Sequence, residues 1–264
     1  MYPEIHLGPA TFQTFGICFA LAFLAAGALV WKRFGEVGRP RDWGYEMGFA
    51  ALLGGLVGSR VYFLVQNYYE VKGDLLGNLF SGSGLVWYGG AIGGALAVIG
   101  WAWWRDFLNL TLLDVAAPAL ALGYALGRCG CQMSGDGDYG KPWNGPWAMA
   151  YPNGTSPTKV TVQPTPVYET LAMGLGAWFL WQLRDRVRPG CLFAIYLVYA
   201  GTERFLVEFL RRNTRDSLGL TAAQLESLTM LVIGLIWIAI VVQRHGGIGR
   251  PAASESRDAL QPAH

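Results

Sequence analysis

The chain has 264 residues, 53% of them hydrophobic and only 14% charged, with 11 tryptophans and a mean hydropathy of +0.30. A soluble domain carries roughly 25% charged residues, so this composition excludes an ordinary soluble globule and indicates an integral membrane protein. A net charge of +2 gives no indication of a nucleic-acid partner, and the length suits one polytopic membrane domain over residues 1–250 followed by a polar, disordered cytoplasmic tail, 251–264.

Residues 1–11 lack a basic region, and the apolar run after them is long enough to span, so no cleavable signal peptide is expected. A crossing needs about 20 mostly apolar residues. Seven runs qualify: 12–31, 43–65, 85–104, 112–126, 167–183, 191–210 and 225–242. The expected fold is therefore all-α, a bundle of about seven transmembrane helices. The fourth run is short, and Pro118 is expected to kink it.

Basic residues collect on the cytoplasmic side of such bundles. Lys32, Arg33, Arg39 and Arg41 follow the first run, Arg105 the third, Arg184, Arg186 and Arg188 the fifth, and Arg244 and Arg250 the seventh. The connection 66–84 has only Lys72, against Glu70 and Asp74. The N-terminus is thus expected outside and the C-terminus inside. Arg211, Arg212 and Arg215 break this pattern, falling on the outer side after the sixth run. Either the topology fails there or those arginines have another task.

Glycines punctuate the second run (Gly54, Gly55, Gly58) and the third (Gly89, Gly90, Gly93, Gly94). Small residues at this spacing let membrane helices approach closely, and packing accounts for them. Cys18, Cys129, Cys131 and Cys191 have no zinc-type pairing. Cys129 and Cys131 are two apart, so on a helix they do not face one another.

Orientation places the unusual polar residues by depth. Arg60, Tyr88, Arg128, Tyr168, Glu169, Glu203, Arg204 and Glu208 all fall near the outer surface, as does the expected loop 128–166. Ionisable residues in a span suggest function, with snorkelling to the interface as the alternative for Arg60. Arg204 and Glu208 are spaced to form an ion pair on one helix. Asp114 lies at the inner end of the fourth run near Arg105, where a helix start or an ion pair explains it. Asp136 and Asp138 suit turns among glycines.

Arg128 stands out. It ends the apolar stretch 115–126 and opens Gly127-Arg128-Cys129-Gly130-Cys131-Gln132-Met133-Ser134-Gly135-Asp136-Gly137-Asp138-Tyr139-Gly140. A cation at a helix end beside a glycine-rich polar loop suits an anion at a membrane surface. Arginine forks bind phosphate in two-pronged fashion, and apolar walls accept acyl chains. There is no P-loop and no nucleophile elbow. The histidines are His6, His245 and His264, none within a span, and no cluster suggests a metal.

These residues resemble the prolipoprotein diacylglyceryl transferase family. Its signature, roughly G-R-x-G-N-F-x-N-G-E closed by a glycine, corresponds to residues 127–136 closed by Gly140. Gly58-Ser59-Arg60 is similar to its second-span G-x-R, and Trp87-Tyr88-Gly89-Gly90 to its F-H-G-G. Asp114-Val115-Ala116-Ala117-Pro118 is similar to D-x-x-A-P, and Pro164-Thr165-Pro166-Val167-Tyr168-Glu169 to P-S-Q-L-Y-E. Arg204-Phe205-Leu206-Val207-Glu208-Phe209-Leu210-Arg211 is similar to R-F-x-V-E-F-x-R. The matches follow family order over about residues 15–211.

The resemblance implies a multi-pass bacterial plasma (inner) membrane enzyme of lipoprotein biosynthesis with its active site facing the outer leaflet. It implies transfer of the diacylglyceryl group of phosphatidylglycerol to the lipobox cysteine of a prolipoprotein signal peptide, releasing glycerol-1-phosphate. No cofactor is implied. By family position, Arg128 and Arg204 neutralise the phosphate, Glu208 orients Arg204, and Asp136 stands at the family glutamate. Arg60, Arg211, Gly140, Cys131, Ser134, Tyr168 and Glu169 are the matching candidates for substrate binding, and Arg211 and Arg212 for guiding anionic headgroups. The chain departs from the pattern at Tyr88 (family histidine), at Cys131 and Ser134 (family asparagines), at Phe15 (family tyrosine), and in a loop one residue longer that adds Asp138. Tyrosine titrates near 10, which makes it a poor base, so Asp136 or Asp138, or unaided ionisation of the acceptor thiol, are the alternatives for thiol deprotonation. An acceptor other than a prolipoprotein and a non-catalytic lipid-binding role are the alternatives to the transfer itself.

Overall fold

The computed structural model describes residues 1–8, 10–71, 86–214 and 219–250. Leu85, Lys72, Asp74, Arg215 and the tail 251–264, all invoked above, lie outside the described residues.

The chain is mostly helical. In order come β1 (Glu4–Leu7), β2 (Ala10–Gln13), α1 (Thr14–Glu36), α2 (Trp43–Gln66), the short α3 (Tyr68–Val71), α4 (Trp87–Trp104) and α5 (Leu110–Ser134). Then follow β3 (Met149–Tyr151), β4 (Thr158–Val162), α6 (Thr165–Leu183), α7 (Cys191–Glu208) and α8 (Ala222–His245). Helices α1, α2, α5 and α8 are long and apolar enough to cross a membrane. Helices α4, α6 and α7, of 18, 19 and 18 residues, coincide with the other three expected runs. Large apolar side chains point outward, as lipid contact requires: Leu24, Phe49, Val65, Leu171 and Trp178 are each at least 62% exposed.

The all-α expectation needs correcting at two places. Strands β1 and β2 form an antiparallel hairpin, as do β3 and β4. These strands of three to five residues are too short to show an alternating pattern. The second hairpin holds because its neighbours pack. Tyr151 of β3 is fully buried and stacks on Tyr139 with ring centres 4.7 Å apart. Its hydroxyl donates to Gln132 Oε1 at 2.8 Å.

The described residues form two compact units. The first comprises residues 27–112. Here α2 packs on α4 through the expected glycines. A Cβ on Gly58 would lie 2.7 Å from Gly93 Cα, and one on Gly94 would lie 3.2 Å from the Ala51 carbonyl. The backbones are in contact, which only small residues permit. Phe34, Trp43, Trp101 and Phe107 pack edge to face. Arg39 lies 5.0 Å over the Phe107 ring, and Arg105 pairs with Glu46 at 2.5 Å.

The second unit comprises residues 1–26 and 113–264. Its core joins Ala117, Ala121 and Ala125 of α5, Met173, Ala177 and Leu180 of α6, and Cys191, Leu192 and Ala200 of α7. Asp114 serves this unit. Its carboxylate accepts from the Gly190 and Phe193 backbone N–H groups at 2.7 and 3.0 Å, at the positive end of α7. The helix-start role is real, but the helix is α7. Helix α8 opens on a capping box, Gln224 N–H to Thr221 Oγ1 at 3.2 Å and Thr221 N–H to Gln224 Oε1 at 3.1 Å.

Helix α5 is the largest departure. It runs unbroken through Pro118 and past the expected end at Leu126 to Ser134, so Arg128, Cys129, Cys131 and Ser134 are helical. Of the glycines that suggest a loop here, Gly130 serves packing. A Cβ on Gly130 would come 3.0 Å from Cys18 Cβ of α1, and Ser134 Oγ donates back to the Gly130 carbonyl at 2.8 Å. The turn comes one residue later, at Gly135 with φ +62°.

Candidate anion site at the end of helix α5

Three helix ends meet in the second unit. Helix α5 brings Tyr124 and Arg128, four apart on one face. The loop after it brings Asp136 and Asp138. The N-terminal part of α6 brings Glu169, and the end of α7 brings Arg204, Glu208 and then Arg211. The loop is pinned to the helices. Thr165 Oγ1 donates to the Asp138 carbonyl at 2.7 Å, and Lys141 N–H donates to the Leu210 carbonyl at 2.8 Å. Gly140 is buried at this junction, and a Cβ there would lie 2.6 Å from the Leu210 carbonyl oxygen, so the closing glycine is required for close backbone approach.

Glu169 is the hub. Its side chain has no exposure, and its Oε1 accepts from Tyr124 Oη at 2.7 Å. Arg128 Nε lies 3.3 Å and Arg204 Nη1 3.4 Å from the same oxygen. Arg211 Nη1 lies 3.4 Å from the other. The expected pair of Arg204 with Glu208 forms at 3.0 Å, and Arg211 Nε approaches the same Glu208 oxygen at 3.7 Å. Asp138 bridges Arg128 and Arg211, one oxygen to each. Arg128 thus commits Nη1 to Asp138, Nη2 to Tyr124 at 3.2 Å and Nε to Glu169. Three guanidiniums from two separate elements face one point, the arrangement an oxyanion needs.

The two loop acids differ. Burial opposes ionisation of Asp138, but Arg211 and Arg128 outweigh it and hold the carboxyl below its ordinary range. Burial pushes Asp136 up, offset only in part by a hydrogen bond from the Cys131 thiol and raised further by neighbouring Asp138. Asp136 is therefore the acid better placed to take a proton near neutrality. Ligand atoms of Cys131, Asp136 and Asp138 lie within 4.8 Å of one another. The arginines already holding Asp138 disfavour a cation there.

The remaining candidates divide. Cys131 is buried with its sulfur 3.8 Å from Arg128 Nη1, whereas Cys129 faces Thr170 at 3.7 Å. Ser134 spends its hydroxyl on the helix. Tyr168 Oη accepts from Trp147 Nε1 at 2.6 Å and lines an open groove with Tyr199, Glu203, Leu206 and Leu210. Arg212 lies outside the cluster, 4.4 Å over the Tyr139 ring. Arg60, buried, and Tyr88, tilted on Tyr62 at 6.5 Å, belong to the first unit. Tyr124 escaped the sequence reading, although its place one turn before Arg128 was a readable signal. Arg211, one of the arginines that broke the charge pattern, has its task inside this network.

A model of the family described as prolipoprotein diacylglyceryl transferase matches residues 4–240. The chain is 31% identical over 239 residues to the phosphatidylglycerol–prolipoprotein diacylglyceryl transferase of Clostridium tetani, covering 86% of this chain and 95% of the relative. It is 32% identical over 258 residues to the protein of that name from Aliivibrio fischeri, covering 91% and 87%. With the Leptospira interrogans protein of that name it shares 34% identity over 239 residues, covering 78% and 72%.

Proposed function

Since the chain belongs to the prolipoprotein diacylglyceryl transferase family, we propose that it transfers the diacylglyceryl group of phosphatidylglycerol to the lipobox cysteine of a prolipoprotein. The observation that carries this reading is the convergence of Arg128, Arg204 and Arg211 on the buried Glu169.

In this reaction the thiol sulfur attacks the glyceryl carbon bonded to the phosphate oxygen. A C–S bond forms, the C–O bond breaks, and glycerol-1-phosphate leaves with the electron pair. Arg128 and Arg204 neutralise the phosphate and stabilise that leaving group. Glu208 orients Arg204. Asp136, whose carboxyl burial pushes up, takes the thiol proton in preference to Asp138. The groove beside Tyr168 and Leu206 suits an acyl chain. In this reading all seven long helices span one membrane domain, with the N-terminus outside, the C-terminus inside and the site at the outer leaflet of the plasma membrane.

A second reading, transfer to a different acceptor, draws on Tyr88 in place of the family histidine. The lipid site is common to both. The discriminating experiment incubates purified protein with phosphatidylglycerol and a lipobox peptide, following glycerol phosphate release and peptide mass. A diacylglyceryl-sized gain on the cysteine supports the first reading. Lipid binding without any gain removes it.

A further inference from the structure

We propose that Asp138 is a resident counter-anion: its carboxylate occupies the Arg128–Arg211 pair while no headgroup is bound and yields that pair to an incoming phosphodiester. This rests on the reading of the cluster as a lipid-phosphate site.

Three carboxylates neutralise the three arginines, and they are not equivalent. Glu169 and Glu208 have no exposure and ride on helices. Asp138 is 32% exposed and sits on the loop, directly after Gly137 with its φ of +100°. Its backbone is fastened independently of its carboxylate: the carbonyl accepts from Thr165 Oγ1 at 2.7 Å, and the N–H donates to Asp136 Oδ1 at 3.2 Å. Rotation about the side-chain bonds therefore frees Nη1 of Arg128 and Nη2 of Arg211 while the loop stays in place.

The exchange conserves charge, because a phosphodiester and a carboxylate each carry one negative charge. It also solves a problem of the ligand-free site. Guanidiniums gathered beside apolar helices repel one another unless an anion lies between them. A tethered anion competes at high effective concentration with every soluble one. Small anions lose that competition, whereas a lipid brings acyl-chain burial as well. The same competition helps expel the glycerol-1-phosphate left behind after transfer.

The test compares wild type, Asp138→Asn and Asp138→Glu in the detergent transfer assay, reading KM for phosphatidylglycerol and inhibition by added glycerol-1-phosphate. A site open a tenth of the time binds about tenfold more weakly than an open one. Asp138→Asn is expected to tighten inhibition by about that factor and to lower KM, while Asp138→Glu stays near wild type. If Asp138→Asn fails to accumulate, Asp138→Ser carries the same expectation. Unchanged or weakened inhibition in a folded, neutral variant overturns the proposal, since a merely structural Asp138 lowers thermal stability without tightening anion binding. Binding of inorganic phosphate to Asp138→Asn, with and without Arg128→Ala, separates the two ideas. If Arg128→Ala abolishes anion binding but neutralising Asp138 never strengthens it, only the counter-anion falls. If Arg128→Ala changes nothing, the lipid-phosphate site falls with it.

Discussion

Removing the Glu169 carboxylate tests the site at its centre. The side chain has no exposure and receives Tyr124 at 2.7 Å and arginines at 3.3, 3.4 and 3.4 Å. Glu169→Ala leaves Arg128, Arg204 and Arg211 ion-paired, among the described residues, with Asp138 and Glu208, three cations against two paired carboxylates. Removing one partner from a buried ionic pair costs about 3–5 kcal/mol. Because two carboxylates remain, the lower end applies, about 3 kcal/mol. Glu169→Gln keeps an oxygen for Tyr124 and Arg128 but turns an amide toward Arg211, donor against donor, at a cost of about 2 kcal/mol. At about 2–4 °C per kcal/mol, the alanine variant should unfold roughly 6–12 °C below wild type and the glutamine variant between them. Tryptophan fluorescence during heating in detergent micelles reads this directly. Phosphatidylglycerol should restore part of the loss in the alanine variant, because the phosphate supplies the missing anion. An alanine variant unfolding at the wild-type temperature would refute the hub.

The other expectations concern chemistry and packing. Arg128→Ala and Arg204→Ala should each lower transfer by about a hundredfold or more with the protein still inserted, read from the peptide assay and membrane fractions. Arg128→Lys should fail too, since one ammonium cannot serve three separately placed partners. Gly58→Leu should abolish accumulation of the folded protein, whereas Gly55→Ala, whose added carbon meets nothing nearer than the Gly90 carbonyl at 3.5 Å, should be neutral in the same measurement. The raised Asp136 carboxyl binds its proton more tightly folded than unfolded, so its ionisation opposes folding as pH rises through the folded value. Asp136→Asn should therefore unfold at a higher temperature than wild type near neutrality, with the difference vanishing below about pH 4, while transfer is lost. Cys131→Asn combined with Asp138→Asn should be more stable to heat than Asp138→Asn alone.

What the sequence revealed followed from local spacing. The Arg204–Glu208 pair is one helical turn apart, and the glycines of α2 and α4 declare a close crossing. Motif order alone brought Arg128, Glu169, Arg204 and Arg211 into one expected site. The end of α5 could not be read, because Gly127, Gly130 and Ser134 have poor helix propensity, while the close contact of Gly130 with α1 and the Ser134 hydrogen bond to the Gly130 carbonyl are visible only in the fold. The helix that Asp114 caps could not be read for a related reason. Arg105 is near in sequence, but the backbone donors it meets are more than seventy positions away. Pairings of that range leave no periodic trace.

The departures from the family signature make sense together rather than singly. An asparagine at position 131 would offer a carbonyl oxygen on the helix face that carries Arg128. Here Cys131 offers only sulfur, 3.8 Å from Arg128 Nη1 and a weak acceptor. The same Nη1 is met instead by Asp138, the acid that the longer loop supplies. Ser134 withdraws its hydroxyl into the helix and adds nothing to the site. Loss of amide oxygens on α5 and gain of a loop carboxylate are thus two halves of one change. It keeps Arg128 satisfied in a low-dielectric setting with a loop carboxylate where a neutral amide oxygen on the helix would otherwise stand.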